Sequence, residues 1–532
     1  MTDLREALVV GAGPVGLTVA HELRRRGVRV RLIDAAEGPA TTSRATSMHA
    51  RTLETFDQMG VVDELLALGL RIEAFTLYQN GRQLARLGTD FTPNPTRYPF
   101  TLGLGQVDTE RVLRDAVARL GVTVEWGVRI TALEQDGDGV RAELRHLDGS
   151  TETAEVGWLV GCDGGHSTVR KQLGLPLTGD SHETWLLADA DVDTGLARDS
   201  LYLVRSVGDN FLLVPLPGDR RWRMIDTSGT WAGTDDDAVR GRFASVLSDG
   251  LDRPVTVGPP HWVSVFTAQQ RMVHRMRVDR CLVAGDAAHV HSPASGQGLN
   301  TGIQEAFNLG WKLAMVIQGH AGPALLDSYD AERVPIGAAL LGSTRNAARL
   351  VALRSAIAGA TQPLFFAVVR NLRPLRAKLQ QQILGKISGL NIGYPDGPLT
   401  VAAPAGPGPR PGQRVAQVTA PAGDGAGWSG LLEELRDPRW TLLVGPDGAT
   451  ADPARLAAKN SGWLSVRTVD AGPSPTGPGP LPDPGGALRG DLGLGPTGWL
   501  LIRPDGYVSA RGERLTTAAL ADALRPLALS AR

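Results

Sequence analysis

The run Gly11-Ala12-Gly13-Pro14-Val15-Gly16 directly follows the apolar stretch Ala7-Leu8-Val9-Val10, and few folds accept that spacing. It reads as strand, tight turn and helix. Gly11 permits the turn, Gly13 lets backbone approach a pyrophosphate, and Gly16 allows close packing of helix on strand. A phosphate would sit at the N-terminus of a helix over roughly residues 14–26, where unpaired N–H groups and the helix dipole favour negative charge. Pro14 and Val15 open that helix, and Pro14 suits the first turn because the N–H it lacks has no intrahelical partner. The next strand, residues 28–33, ends at Asp34, within the roughly 20-residue spacing at which a carboxylate reaches a ribose 2′-hydroxyl. The pattern favours an adenosine with a free 2′-hydroxyl, as in FAD or NAD, over NADP.

At 532 residues the chain exceeds one compact core, and a prior of roughly 100 to 200 residues per domain gives about three. With 42% hydrophobic and 21% charged residues the composition is that of a soluble globular protein. A net charge of −1 gives no electrostatic reason to bind nucleic acid or an anionic membrane. Cys162 and Cys281 are the only cysteines, which argues for a reducing compartment and against a disulfide framework or a thiolate metal site. No apolar run approaches the roughly 18 residues of a spanning helix, so a cytoplasmic location is expected.

Texture divides the chain into five parts. Residues 1–179 read as the first part of a nucleotide-binding domain, with an amphipathic helix over 109–120 and a buried strand over 158–161 that delivers Cys162-Asp163-Gly164. Residues 180–273 alternate as strands and form an inserted β-sheet, because 280–284 resumes a buried strand and carries Gly285-Asp286. Residues 274–395 complete the nucleotide domain and add long helices, 396–412 is a Pro/Gly-rich linker, and 413–532 is a further α/β domain. A ligand would lie between the inserted sheet and the nucleotide domain.

Three separated motifs resemble those of the class A flavin-dependent aromatic hydroxylases, the p-hydroxybenzoate and phenol hydroxylase group that includes tailoring enzymes of aromatic polyketides. They are Gly11 to Gly16 with Asp34; Cys162-Asp163-Gly164-Gly165-His166-Ser167-Thr168-Val169-Arg170; and Gly285-Asp286-Ala287-Ala288-His289 continuing through Pro293 to Gly296-Gln297-Gly298-Leu299-Asn300-Thr301-Gly302. The resemblance covers roughly residues 4–395. It implies an α/β fold: a Rossmann-like FAD domain of the glutathione-reductase type, an inserted β-sheet substrate domain, and a thioredoxin-like C-terminal domain. That last domain has no cysteine, so thiol–disulfide chemistry is closed to it.

The resemblance further implies tightly but non-covalently bound FAD, NADPH or NADH as a transient reductant, and O2 as co-substrate. It also implies hydroxylation of an electron-rich aromatic ring, with a polycyclic polyketide as the first choice of substrate, through a flavin C4a-hydroperoxide. Baeyer–Villiger oxygenation of a ketone and electron transfer without oxygen insertion are the alternatives on the same scaffold, and homodimerisation is left open.

By this resemblance Gln106 sits near the FAD ribose and phosphate, Asp163 on the flavin side, and Arg44 and Pro293 in the flavin environment. On chemistry alone, Asp286 at a strand end is an acceptor for ribityl hydroxyls, and the N–H groups of Gly298, Leu299 and Asn300 can face the flavin N1 and O2, where negative charge gathers on reduction. No base for deprotonating a phenol is identifiable. Phe211, Trp222 and Phe266 are substrate candidates from the inserted sheet, against a reading as core packing. His289 and His291 have no nearby carboxylate or cysteine in sequence, so no metal is expected.

Overall fold

Four consecutive apolar residues can be buried on both faces only in the middle of a parallel sheet, and Glu6–Val10 takes that position. It pairs in parallel with Arg29–Asp34 on one side and Trp158–Gly161 on the other. The computed structural model describes residues 6–43, 45–88, 94–206, 209–229, 231, 233–291, 296–351, 387–404, 406–418, 426–447, 459–470 and 480–527. Arg44 and Pro293 lie outside them. The first eight helices along the described chain are α1 (Pro14–Arg24), α2 (Ala50–Met59), α3 (Val62–Leu68), α4 (Gln106–Arg119), α5 (Thr168–Gln172), α6 (Asp236–Leu251), α7 (Gln297–Ile317) and α8 (Asp327–Val351).

The first sheet has six strands in the order Arg277–Val278, Cys281–Val283, Trp158–Gly161, Glu6–Val10, Arg29–Asp34, Val124–Trp126. Its four central strands run parallel, so their C-terminal ends bring Ala284-Gly285, Cys162, Gly11 and Asp34 to one edge. In open α/β sheets that edge is where ligands bind. Helices α1 and α7 pack on each other beside it, joined in one core by Leu17, Leu23, Ile303, Phe307 and Leu313.

The second sheet has eight strands in the order His289–Val290, Thr256–Met272, Thr178–Asp193, Arg221–Asp226, Asp209–Pro215, Ser200–Ser206, Ala74–Gln79, Arg82–Gly88. Side chains alternate across it. Tyr202, Val204, Phe211, Leu213, Trp222 and Met224 face α6 and its Val239, Phe243 and Leu247. Trp185, Leu187, Leu212, Ile225, Trp262 and Phe266 form a second apolar face on the other side. The sheet is wider than the expected insertion at 180–273. It recruits the hairpin 74–88, whose turn Asn80-Gly81 has both residues at positive φ (48° and 74°), as a type I′ hairpin turn requires. His289–Val290, part of the third sequence motif, forms its far edge.

The C-terminal sheet has the order Leu481–Pro482, Leu464–Asp470, Trp440–Val444, Trp499–Ile502, Val508–Gly512, with the first three strands parallel and the last two antiparallel. One face is completed by Trp311 and Met315 of α7, which share a core with Trp440, Leu442 and Leu501. The Pro/Gly-rich segment 396–412 is not a free tether. Val401 N donates to Ser509 O at 2.8 Å, and Gly412 N to Val508 O at 2.7 Å. Leu399 is buried in the same core as Trp311. No helix among the described residues is long and apolar enough to cross a membrane.

Gly16 sets the spacing of α1 on the sheet: a Cβ there would stand 1.8 Å from the carbonyl oxygen of Gly11. Overpacking of this kind costs about 1–3 kcal/mol even where neighbours can yield, and here the neighbour is backbone. Gly16→Ala is expected to lose at least about 2 kcal/mol of unfolding free energy, seen as a lower urea midpoint with an unchanged slope.

Candidate functional site

The three glycine-rich segments meet at one point. Gly11 has φ +103°, and a Cβ on it would lie 2.4 Å from the carbonyl oxygen of Cys162. A Cβ on Gly285 would approach Val15 Cγ2 to 2.8 Å, and one on Gly302 would reach the same methyl at 2.7 Å. The first turn therefore meets the Cys162 strand end backbone to backbone, the Gly285 turn likewise meets Gly302 of α7, and the Val15 side chain joins the two contacts. Gly13, by contrast, has open space where a side chain would be. Neither Gly13 at the start of α1 nor Gly296 at the start of α7 supplies a side-chain cap.

Around this point the polar residues tie loop to loop. Asp34 accepts the Ala12 N–H at 2.6 Å and the Ala36 N–H at 2.8 Å, so its carboxylate also shapes the glycine turn. Asp163 turns back on its own loop, accepting N–H groups of Thr168 at 2.7 Å and Val169 at 3.1 Å and the Ser167 hydroxyl, and so holds the entry to α5. Arg170 of the same motif donates to Gly165 O and Ala287 O, stitching the second motif to the third. Gln106 Oε1 accepts the Ala45 N–H at 3.2 Å, and Val107 N donates to Ser43 Oγ at 3.1 Å; α4 thus brackets the loop containing position 44. Asn300 donates to Ser47 O and Gly296 O, and its Oδ1 accepts the His49 N–H at 2.8 Å. Asp286 is exposed at the strand-end edge, while Leu299 is packed against the main core.

Glu305, which the sequence reading did not single out, lies fully buried at the centre of the third motif. It accepts from His289 Nε2 at 2.7 Å and from the Gly285 N–H at 3.0 Å. Burial disfavours both charges, yet mutual attraction and the hydrogen bond lower Glu305 from its ordinary 4.5 and raise His289 from its ordinary 6.5. His289 and His291 stack with ring centroids 5.8 Å apart. Among the described residues no group of three or more His, Cys, Asp or Glu is placed to hold a metal.

Strand alternation separates the three aromatic candidates. Phe211 and Trp222 are buried on the α6 side of the large sheet, Phe211 in edge contact with Phe243 at 5.8 Å, which makes them core residues. Phe266 lies on the opposite face with Trp185 and Trp262. That face meets the nucleotide domain through Arg223, a residue the sequence reading also passed over. Its guanidinium pairs with Asp189 at 2.7 Å through both Nε and Nη2, lies 4.7 Å from the Trp262 ring centroid, and donates to Ser43 O at 2.6 Å.

A family model described as FAD binding domain matches residues 5–344. The chain belongs to this FAD-binding family. It is 50% identical over 528 residues to 6-methylpretetramide 4-monooxygenase of Streptomyces rimosus, covering 99% of this chain and 94% of that enzyme. It is 34% identical over 518 residues to pentachlorophenol 4-monooxygenase of Sphingobium chlorophenolicum, covering 95% and 93%. The solved structure of OxyS anhydrotetracycline hydroxylase from Streptomyces rimosus superposes with a TM-score of 0.73 at 32% identity, covering 98% of both chains. The chain is an FAD-dependent monooxygenase of the aromatic hydroxylase type.

The strand-end edge of this monooxygenase fits FAD on its own geometry. Gly13 leaves a cradle that a side chain would fill, and two helix N-termini without side-chain caps supply N–H donors for anionic groups. The His289–Glu305 pair beneath the edge gives a pH signature. Its Glu305 contribution is present above the ordinary carboxylate value of 4.5 and lost as pH falls through the lowered value. Its His289 contribution is present below 6.5 and lost as pH rises through the raised value. The stability gap between the native chain and Glu305→Gln should thus be widest between pH 4.5 and 6.5 and narrow on either side, as read from urea denaturation across pH.

Proposed function

We propose that this monooxygenase hydroxylates an electron-rich ring of a polycyclic aromatic polyketide, with NADPH or NADH as transient reductant and O2 as oxygen source, in the cytoplasm. The observation that carries the substrate class is the second face of the large sheet. Trp185, Leu187, Leu212, Ile225, Trp262 and Phe266 make an apolar wall with the buried Arg223–Asp189 pair at its end. A wall of that width suits a flat, multi-ring molecule better than a single phenol. The 50% identity to an enzyme named for 6-methylpretetramide points the same way.

In this reading Gly11, Gly13, Pro14, Val15 and Gly16 take the pyrophosphate, Asp34 the adenosine ribose, and Asp286 the ribityl chain. Gln106 and Arg44 lie along the ribose-phosphate side. Pro293 and the N–H groups of Gly298, Leu299 and Asn300 line the ring. Asp163 supports this site by folding its own loop. Bound FAD supplies the activation of O2, for which no side chain substitutes. The protein's own part is to hold the aromatic ring against the flavin, offer N–H donors where negative charge accumulates, and keep water out. No side chain is assigned as a base.

We read the domains as 1–179 and 274–395 for FAD, 180–273 with the 74–88 hairpin for substrate, and 413–532 as thioredoxin-like. The last is supported by three parallel strands followed by an antiparallel hairpin.

Purified protein should carry a yellow cofactor and transfer one atom of isotope-labelled O2 to an aromatic polyketide while oxidising NADPH. Unlabelled product excludes oxygenation, and an ester or lactone product means Baeyer–Villiger insertion instead of ring hydroxylation. Within that assay Trp262→Ala is expected to raise KM about tenfold, the worth of about 1.4 kcal/mol of aromatic contact, with a smaller change in kcat. Phe211→Leu, on the α6 side, should lower stability and leave KM nearly unchanged.

A further inference from the structure

The C-terminal sheet ends in the hairpin turn Arg503-Pro504-Asp505-Gly506-Tyr507, and this turn is buried beneath the helices of the FAD domain. The Arg503 guanidinium, 1% exposed, lies between two carboxylates. It donates to both oxygens of Glu332 at 2.7 and 2.9 Å and to both oxygens of Asp505 at 2.9 and 2.6 Å. Glu332 belongs to α8, and its Oε2 also accepts from Lys312 Nζ and Asn308 Nδ2 of α7, each at 2.8 Å. Asn308 Nδ2 reaches Asp505 Oδ2 at 3.1 Å as well, and the Asp505 carbonyl accepts from Arg51 Nη2 of α2 at 2.7 Å. One turn thus holds α2, α7 and α8 together.

α2 and α7 start at the proposed flavin site, and α8 contacts the beginning of α7. α2 begins one residue after His49, whose N–H is held by Asn300. Gly296 is the residue at which α7 starts, and Gln297–Asn300 is its first turn. α8 carries Arg333, next to Glu332, which donates to Thr301 O at 3.3 Å and stands 3.9 Å from Glu305. Attachment of the C-terminal domain does not require these charges, because Trp311 and Met315 already bury its sheet face in a shared apolar core. Burying Arg503, Lys312, Glu332 and Asp505 carries a desolvation cost that apolar packing would avoid. What the ionic cluster adds is direction: each hydrogen bond fixes a helix at one angle and one height.

We infer that the turn Arg503–Tyr507 is a positioning element of the flavin site, setting where α2, α7 and α8 present Gly296–Asn300, the start of α7. The C-terminal domain thereby tunes how tightly the flavin is held and at what potential, without touching it. This rests on the reading that Gly296–Asn300, at the start of α7, faces the flavin.

The test uses the full-length holoenzyme. Asp505→Asn removes a charge from the turn, and Asn308→Leu removes, at nearly constant volume, the α7 donor to Asp505 and one of the two α7 donors to Glu332, Lys312 being the other. Each should weaken FAD binding about three- to thirtyfold, the range of coupling changes carried by intervening residues. Each should also shift the midpoint potential of the bound flavin, while far-ultraviolet circular dichroism stays native. Arg467→Met, which breaks a pair with Glu434 inside the C-terminal domain, is the control: it should lower thermal stability and leave both flavin readouts alone. If Asp505→Asn fails to fold, Asn308→Leu decides alone. Folded variants with native FAD affinity and potential overturn the proposal. So does an Arg467→Met variant that shifts them equally, since general destabilisation would then explain the effect. If the unmodified chain binds no FAD, it is the reading of the site that falls.

Discussion

The close packing where Gly11, Gly16, Gly285 and Gly302 gather around Val15 is the constraint on which the remaining architecture depends. These four positions draw a turn, two strand ends and the first turn of α7 to van der Waals distance, with Val15 wedged among them. No other residue type fits, because at Gly11, Gly16 and Gly302 even one methyl group would meet main-chain atoms. The close approach leaves N–H groups at the helix starts without side-chain caps, facing the edge where the parallel strands end. A fold that can leave those donors uncapped has a place for an anion, so packing and cofactor chemistry come from the same glycines.

Away from that point the structure is held by buried charge, and its arrangement is informative. Glu22 lies fully buried among Arg25, Arg26 and His21 at the end of α1, and attraction to those partners brings its carboxyl down to about 2 against the opposing effect of burial. Glu54 sits between Arg51 and Arg414, and Arg503 between Glu332 and Asp505. Two of these clusters join the FAD domain to the C-terminal segment, across an interface whose apolar part is already complete. Lys312, buried with Glu332, has its ammonium lowered to about 8 by burial. Paired burial of this sort contributes little net stability, and removal of one member is costly; it fixes orientation.

The sequence made the local signals legible. Gly11 to Gly16, Asp34 and Gly285-Asp286 each encode a turn at a strand end, and each lies where spacing predicts. Asp163 was legible as a motif member but not in its action, because a carboxylate that caps its own loop and one that faces a ligand look identical in sequence. Strand parity divides the aromatic candidates, Phe211 and Trp222 on the α6 face and Phe266 on the other. Both faces of the large sheet are apolar, one against α6 and one toward the nucleotide domain, so hydrophobicity does not distinguish Phe211 from Leu212. Asn80-Gly81 was a readable hairpin signal that the division into domains overlooked, since the hairpin joins a sheet formed mostly 100 residues later. Arg223–Asp189 and Glu305–His289 could not be read, as pairs separated by 34 and 16 residues acquire meaning only once strand has paired with strand, or helix α7 has packed on the strand ends.

The third motif explains how such a scaffold can change substrate without losing its cofactor. Cys281–Val283 belongs to the nucleotide sheet and His289–Val290 to the substrate sheet, so the short path between them fixes one sheet against the other. Glu305 locks both ends of that path at once, holding the Gly285 N–H and the His289 ring. With the path so constrained, the apolar face that carries Trp185, Leu187, Leu212 and Ile225 is held at a fixed orientation to the six-stranded sheet. In the proposed reading, specificity resides in the side chains that fill this wall. A change at Gly285 or Glu305, by contrast, would move the wall as a whole and disturb every substrate alike.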